Sequence, residues 1–167
     1  FTDIVGSTEI ADRLGDRRWA AVVADHEELL AAHAAEFGGR VVKTQGDGGM
    51  FAFPDVDGAV GFAGSVQRSL ASDARNDPKL AIRVGINRGE AVRHGDDYLG
   101  RTVIIAARLM DAAHAGDVLV ADSVKRAVAG DPFQITGQRQ LELKGLEGEH
   151  SAWSLRWQPF DSSDSLP

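Results

Sequence analysis

The sequence predicts an α+β fold, a mixed and mainly antiparallel sheet covered by helices, and three observations carry that expectation. Segments with apolar residues at helical spacing alternate with short runs rich in Val, Ile and Phe. The pair Asp47-Gly48 lies between two such runs, a strong short-range sign of an antiparallel hairpin. The segments follow one another as strand, helix, helix, strand, strand, helix, strand, helix, strand, helix, strand, strand, an order that suits a mixed sheet with helices packed on it. No internal repeat is visible.

Phe1-Thr-Asp-Ile-Val5 reads as the stub of a buried strand, and Gly6-Ser7-Thr8 supplies a turn and helix start for a short helix ending near Gly15. Residues 16–37 carry Trp19, Val22, Val23, Leu29, Leu30, Ala34 and Phe37 close to the i, i+3, i+4, i+7 pattern of a long amphipathic helix, stopped by Gly38-Gly39. Residues 40–44 and 50–53 are strand-like runs around Gln45-Gly-Asp-Gly-Gly49, with Asp47 at the hairpin tip. Pro54-Asp55 opens a helix reaching about Ser72, with Asn76-Asp-Pro78 as the stop. Leu80, Ile82, Val84 and Ile86 alternate, so residues 80–92 are expected to form one long bent strand, with Gly95-Asp-Asp97 as a loop. A helix over about 102–113, a strand over 117–121, a short helix over 123–129 and late strands over 134–143 and 152–157 complete the chain.

Composition excludes several classes of protein. With 43% hydrophobic and 26% charged residues in 167, the chain is neither mostly disordered nor membrane-spanning, since a span requires roughly 20 uninterrupted apolar residues. The absence of cysteine removes disulfides, thiolate metal sites and a cysteine nucleophile, and suits a cytoplasmic setting. Eighteen Lys and Arg against 25 Asp and Glu give a net charge of −7, so no basic footprint is available for nucleic acid, whereas clustered carboxylates suit divalent cations. The clipped first strand suggests a domain cut from a longer parent with further fused domains, one that could itself be membrane-tethered. The polar, breaker-rich residues 158–167 read as a flexible tail.

Asp3 stands in a segment that otherwise reads as buried, where an uncompensated carboxylate costs several kcal/mol, so something must neutralise it. A strand-end turn aspartate is the plain alternative, as is ordinary hairpin chemistry for Asp47. Taken together, a strand ending in Asp3 beside a hairpin tipped with Asp47 brings two carboxylates to one corner. Two side-chain oxygen ligands with positions left open for phosphate is how magnesium is commonly held at nucleotide sites. The turn before the first helix adds backbone N–H groups and a positive helix end, a cradle for anions.

Five segments in order, Phe1-Thr-Asp-Ile-Val-Gly-Ser-Thr8, Lys43-Thr-Gln-Gly-Asp-Gly48, Arg83-Val-Gly-Ile-Asn-Arg-Gly-Glu90, Gly100 to Arg108 and Leu143-Lys-Gly145, resemble the catalytic domains of class III nucleotidyl cyclases. In detail they are similar to bacterial, especially actinobacterial, adenylate cyclases. The resemblance covers about residues 1–157. It implies a palm-like domain acting as a head-to-tail homodimer, with two active sites in the interface that draw on both subunits. On matching positions Asp3, Asp47 and the Ile4 carbonyl would hold two Mg²⁺ or Mn²⁺ ions, and the loop with Gly6, Ser7 and Thr8 would hold the triphosphate of ATP. From the other subunit, Lys43 and Asp97 match the pair that reads adenine, Arg108 the arginine that acts in the transition state, and Lys144 a triphosphate-binding lysine.

These residue types suit those roles. A lysine donor beside an aspartate acceptor complements adenine N1 and its amino group, whereas guanine reverses that pattern. Arg108 is a permanent planar cation. Each residue also has a plainer reading: Lys43 as a solvated edge charge, Asp97 and Lys144 as turn residues, Arg108 as a helical ion pair. One position departs from the family pattern. An asparagine one helical turn before the arginine is replaced by Ile104, which can neither donate nor accept, a loss of about 1.5–4 kcal/mol in the transition state, or about 10- to 1000-fold in rate. Two functions follow as alternatives, a slowed adenylate cyclase and a catalytically degenerate nucleotide-binding or dimerisation module; a third, another palm-like nucleotidyl transferase, fits Lys43, Asp97 and Lys144 less well. His26-Glu27 with His33 mimics a zinc motif, but the required second histidine falls on Leu30. Trp19, Phe37 and Phe62 are expected in the core or a dimer contact.

Overall fold

A computed structural model describes residues 1–73, 77–128 and 134–158. The expected tail from residue 159 on, the stop at Asn76 and the last residue of the short helix expected over 123–129 lie outside the described residues. The first elements are β1 (Thr2–Ile4), α1 (Ser7–Leu14), α2 (Asp16–Glu36), β2 (Arg40–Gln45), β3 (Gly48–Ala52) and α3 (Val56–Ser72). They are followed by β4 (Ile82–Ile86), β5 (Val92–His94), β6 (Asp97–Leu99), α4 (Arg101–Ala112), β7 (Val118–Ala121), α5 (Asp122–Ala127), β8 (Gln134–Glu142) and β9 (Glu149–Arg156). The expected α+β class is observed. A seven-stranded sheet runs in the order β2-β3-β1-β4-β7-β9-β8, antiparallel throughout except for the parallel pair β4 and β7.

The sheet buries both faces because its central strands are apolar on both. Ile82, Val84, Val118 and Val120 join Leu30, Val60, Val66 and Val124 in the larger core, which places α2, α3 and α5 on one face. Leu119 and Ala121, the alternate residues of β7, join Leu109 and Ala113 in a second core under α4 on the opposite face. Phe62 is buried, its ring 4.9 Å from that of Phe51 and 5.2 Å from that of Phe53, while Trp19 and Phe37 pack against the same core. The aromatic residues are therefore core, as expected.

Gly85 fixes how closely α4 approaches the sheet. A Cβ at that position would lie 2.3 Å from both the Ala106 carbonyl oxygen and the Met110 nitrogen, so only glycine lets the helix backbone rest on β4. α3 has a side-chain cap, with Gly58 N–H donating to Asp55 Oδ1 at 2.7 Å. α1 has none; its N-cap is Gly6, at φ 71.

Two expectations about strands are corrected. Residues 80–92 do not form one bent strand: β4 ends at Ile86, and after an irregular turn the chain enters β5, which pairs with β6 in a separate two-stranded sheet. Gly95 and Asp96 are the tip of that second hairpin, and Asp97 is a strand residue rather than a loop residue. Gly95, at φ 64, supplies the left-handed residue that the tip needs. In the first hairpin the turn is Gly46-Asp47 rather than Asp47-Gly48, with Gly46 at φ 65. A glycine at the first turn position is the type II′ pattern, so the hairpin sits where expected while the glycine doing the bending is the earlier one.

Candidate active site

Asp3 and Arg83 are direct antiparallel partners on β1 and β4. Because Thr2, Ile4, Ile82 and Val84 turn to the larger core, pleating sends Asp3 and Arg83 to the other face, where α4 lies. Arg83 Nε and Nη2 donate to Asp3 Oδ2 at 3.0 and 2.7 Å, and Arg83 Nη1 donates to the Asp111 carbonyl at 3.1 Å. Arg83 thus supplies the neutralisation that Asp3 requires. The sequence signal for it was a charge inside an otherwise apolar alternation, on the face opposite to Ile82 and Val84.

The pairing Thr2 with Gly49 sets Asp3 opposite Gly48, the residue after Asp47. Asp3 Oδ1 lies 3.3 Å from where a Gly48 Cβ would stand, so the missing side chain keeps that oxygen clear. Asp47 Oδ2 is buried with no hydrogen-bond partner. A buried carboxylate oxygen without a donor is costly, and cation binding would repay it. The corner therefore fits a divalent cation through hard oxygen donors, although among the described residues no three His, Asp or Glu side chains gather to hold an ion by themselves. Above it, Val5 N–H donates to the Ala81 carbonyl at 2.8 Å and pins the loop into the start of α1. A cleft of about 510 Å³ runs past Ser7, Thr8, Asp12, Trp19, Glu27 and Asp47.

A second group forms between β2 and β6. Lys43 Nζ donates to Asp97 Oδ2 at 2.6 Å, and Tyr98 N–H donates to Asp97 Oδ1 at 2.7 Å. The Lys43 hydrogen bond first, and the Tyr98 N–H second, hold the Asp97 carboxyl below its ordinary value. The Arg40 guanidinium stacks 5.3 Å from the Tyr98 ring centre. Nearby, a pocket of about 400 Å³ is lined by Phe1, Phe51, Phe53, Tyr98, Arg88 and Thr102.

The third group lies on α4 and the β8–β9 loop. Arg108 Nη1 donates to Asp111 Oδ2 at 2.8 Å, while its Nε is buried with no partner. Ile104, one turn earlier, is 46% exposed. Lys144 is exposed in a turn closed by Leu146 N–H donating to the Leu143 carbonyl at 2.9 Å. Asn87 ties the start of α4 down: its Nδ2 donates to the Thr102 carbonyl at 3.0 Å, and Ser123 Oγ donates to its Oδ1 at 2.9 Å.

The structure thus brings Lys43 to Asp97, sets Asp3 beside the strand that Asp47 opens, and leaves Arg108 in its plain helical ion pair. His26 and His33 do not form a zinc site: His26 is buried and His33 Nδ1 lies 3.1 Å from Ser65 Oγ.

Residues 1–156 match the family model described as the adenylate and guanylate cyclase catalytic domain. The chain is 31% identical over 93% of its length to a pH-sensitive adenylate cyclase of Mycobacterium tuberculosis and 35% identical over 72% of its length to an adenylate cyclase of Streptomyces coelicolor. It spans 39% and 31% of the length of those two relatives. Its fold superposes with a TM-score of 0.83 and 25% identity on the catalytic core of a rhodopsin-guanylyl cyclase with converted specificity in complex with ATPαS, covering 93% of this chain and 92% of that one.

Proposed function

We propose, from the premise that this chain belongs to the class III adenylate and guanylate cyclase catalytic domain family, that it converts ATP to 3′,5′-cyclic AMP and pyrophosphate at a slowed rate. The catalytic unit is placed at residues 1–157 and acts as a head-to-tail homodimer with sites shared between protomers. The observation that carries the choice of ATP is the Lys43–Asp97 pair. The ammonium has three donors and the carboxylate several lone pairs, so both retain capacity after meeting each other. Side by side, they offer a donor to adenine N1 and an acceptor to its amino group; guanine would set like groups against like and leave both unpaired. The aromatic pocket at Tyr98 gives a base a surface to stack on.

Asp3, Asp47 and the Ile4 carbonyl would hold the metal ions. Two Mg²⁺ or Mn²⁺ ions bound there would supply Lewis-acid activation of the ribose 3′-hydroxyl and neutralisation of the triphosphate. The protein's own part is positioning and charge. The N–H groups of the loop through Gly6, Ser7 and Thr8 and the cation of Lys144 bind the triphosphate. Attack of the 3′ oxygen on the α-phosphorus, its proton leaving to solvent, breaks the bond to pyrophosphate, and Arg108 stabilises the charge that builds on the α-phosphoryl group. For this, Arg108 must exchange Asp111 for the nucleotide. Ile104 contributes no hydrogen bond at the place where the family has an asparagine.

The test is a purified-protein assay with Mn-ATP and Mn-GTP side by side, with products identified by chromatography. Cyclic AMP from ATP in clear excess over cyclic GMP from GTP is expected; the reverse preference would overturn the adenine reading. The exposed, apolar Ile104 favours one competing reading, a nucleotide-binding module without turnover. Calorimetry decides it: tight ATP binding with no product at high Mn²⁺ is that module's signature.

A further inference from the structure

Among the described residues, His26 is a buried ionisable side chain that the reaction above leaves idle. It is 4% exposed, and neither ring nitrogen has a hydrogen-bond partner. It heads the inward stripe of α2, four residues before Leu30 and eight before Ala34, where any apolar side chain would pack without leaving polar atoms unsatisfied. The first hairpin packs along the same helix. From the Gly38-Gly39 turn, β2 doubles back along α2, advancing about 3.3 Å per residue against about 1.5 Å for the helix, so its tip comes level with the middle of α2. Val23, Ala24 and Glu27, which flank His26 in sequence, accordingly line one cleft with Gly46 and Asp47.

Neither ring nitrogen of His26 nor the buried Oδ2 of Asp47 has a partner, and the two groups are close enough for the charge of Asp47 to act on the His26 ring. We propose that His26 is a positioning residue for Asp47: its ring N–H is the donor that takes Asp47 Oδ2 when a divalent cation takes the other carboxylate oxygen. This rests on the metal reading of Asp47 given above. Ligating carboxylates are commonly fixed by such a second donor, and its loss typically weakens metal binding 10–100-fold. Burial lowers the pKa of His26, with the charges of Asp47 and Glu27 opposing it, so a neutral ring adds no repulsion toward a cation.

The experiment uses the whole chain with ATPαS present and reads Mn²⁺ binding from the electron paramagnetic resonance of the free ion, alongside thermal unfolding without metal. His26→Leu and His26→Phe remove the donor while filling the core; His26→Gln keeps a donor. Both donor-free variants are expected to unfold at or above the wild-type temperature, yet to need about tenfold more Mn²⁺ for half-saturation, with the glutamine recovering most of the loss. A folded donor-free variant with wild-type Mn²⁺ affinity, or a glutamine variant as weak as the leucine, would overturn the proposal. Asp47→Ala is measured in parallel. If it leaves Mn²⁺ binding intact, the metal reading itself falls; if it abolishes binding while the donor-free chains bind normally, only the role of His26 falls.

Discussion

Lys43 and Asp97 are separated by 54 positions in sequence yet meet at 2.6 Å, and their contact sets a measurable acid titration. Asp97 is held below its ordinary 3.8 chiefly by the Lys43 hydrogen bond. A carboxyl whose folded value is depressed contributes stability that is fully present above its unfolded value and lost as pH falls through its folded value. That contribution is therefore in place at neutral pH and disappears only in acid below the ordinary carboxylate range. A ¹³C titration of the Asp97 carboxyl should show a midpoint below 3.8 that moves upward in Lys43→Met. An unmoved midpoint would mean that the lysine is not the cause. Ile104 gives a second prediction at this scale. Being 46% exposed, it can be changed to asparagine with little effect on the fold, so Ile104→Asn should leave the unfolding temperature nearly unchanged. On the family reading it should raise kcat about 10- to 1000-fold with a smaller change in KM, the pattern of an interaction made in the transition state. Equal kcat in the two chains would defeat the explanation of slow turnover.

Among the elements, α4 is the most exacting, because it carries Ile104 and Arg108 and rests on β4 through Gly85. In Gly85→Ala the new methyl would lie 2.3 Å from backbone atoms of α4, which cannot rotate away as a side chain does. The helix must lift, at a cost of about 1–3 kcal/mol or more read as a lower urea midpoint, and cyclase activity should fall further than stability because Arg108 moves with the helix. Loss of stability with full activity would show that the seat of α4 is not what places Arg108. The sequence revealed α4 and the other long helices because a 3.6-residue apolar period survives local irregularity. It revealed the first hairpin through glycine and aspartate chemistry, though the bend belongs to Gly46 rather than Gly48. It did not reveal that the alternating run after Leu80 breaks, since β5 is exposed on both faces and carries no core-facing period. Nor did it reveal Arg83 as the partner of Asp3, because strand neighbours 80 positions apart are set by sheet order, which local pattern does not encode. For His26 the sequence excluded a zinc motif, since the required second histidine falls on Leu30, but it gave no sign that the side chain is buried.

At the scale of the whole molecule, two of the charged groups assigned to chemistry are occupied within their own chain, Asp3 by Arg83 and Arg108 by Asp111. A nucleotide entering the proposed interface must draw on the metal corner of one protomer and the base-reading pair and arginine of the other. This separates the two halves genetically. Asp47→Ala removes the proposed metal ligand and should silence both sites of the proposed homodimer, as should Arg108→Ala by removing the proposed transition-state cation. When the two inactive chains are mixed and allowed to exchange, each heterodimer has one site with both lesions and one with neither. Random assortment makes half the dimers hybrid with one working site of two, so about a quarter of wild-type activity should return. The recovered activity should also fall on dilution, since it exists only in the associated state. Two silent chains that stay silent at every mixing ratio, while size measurements show that hybrids have formed, would place all the machinery within one protomer and end the shared-site reading.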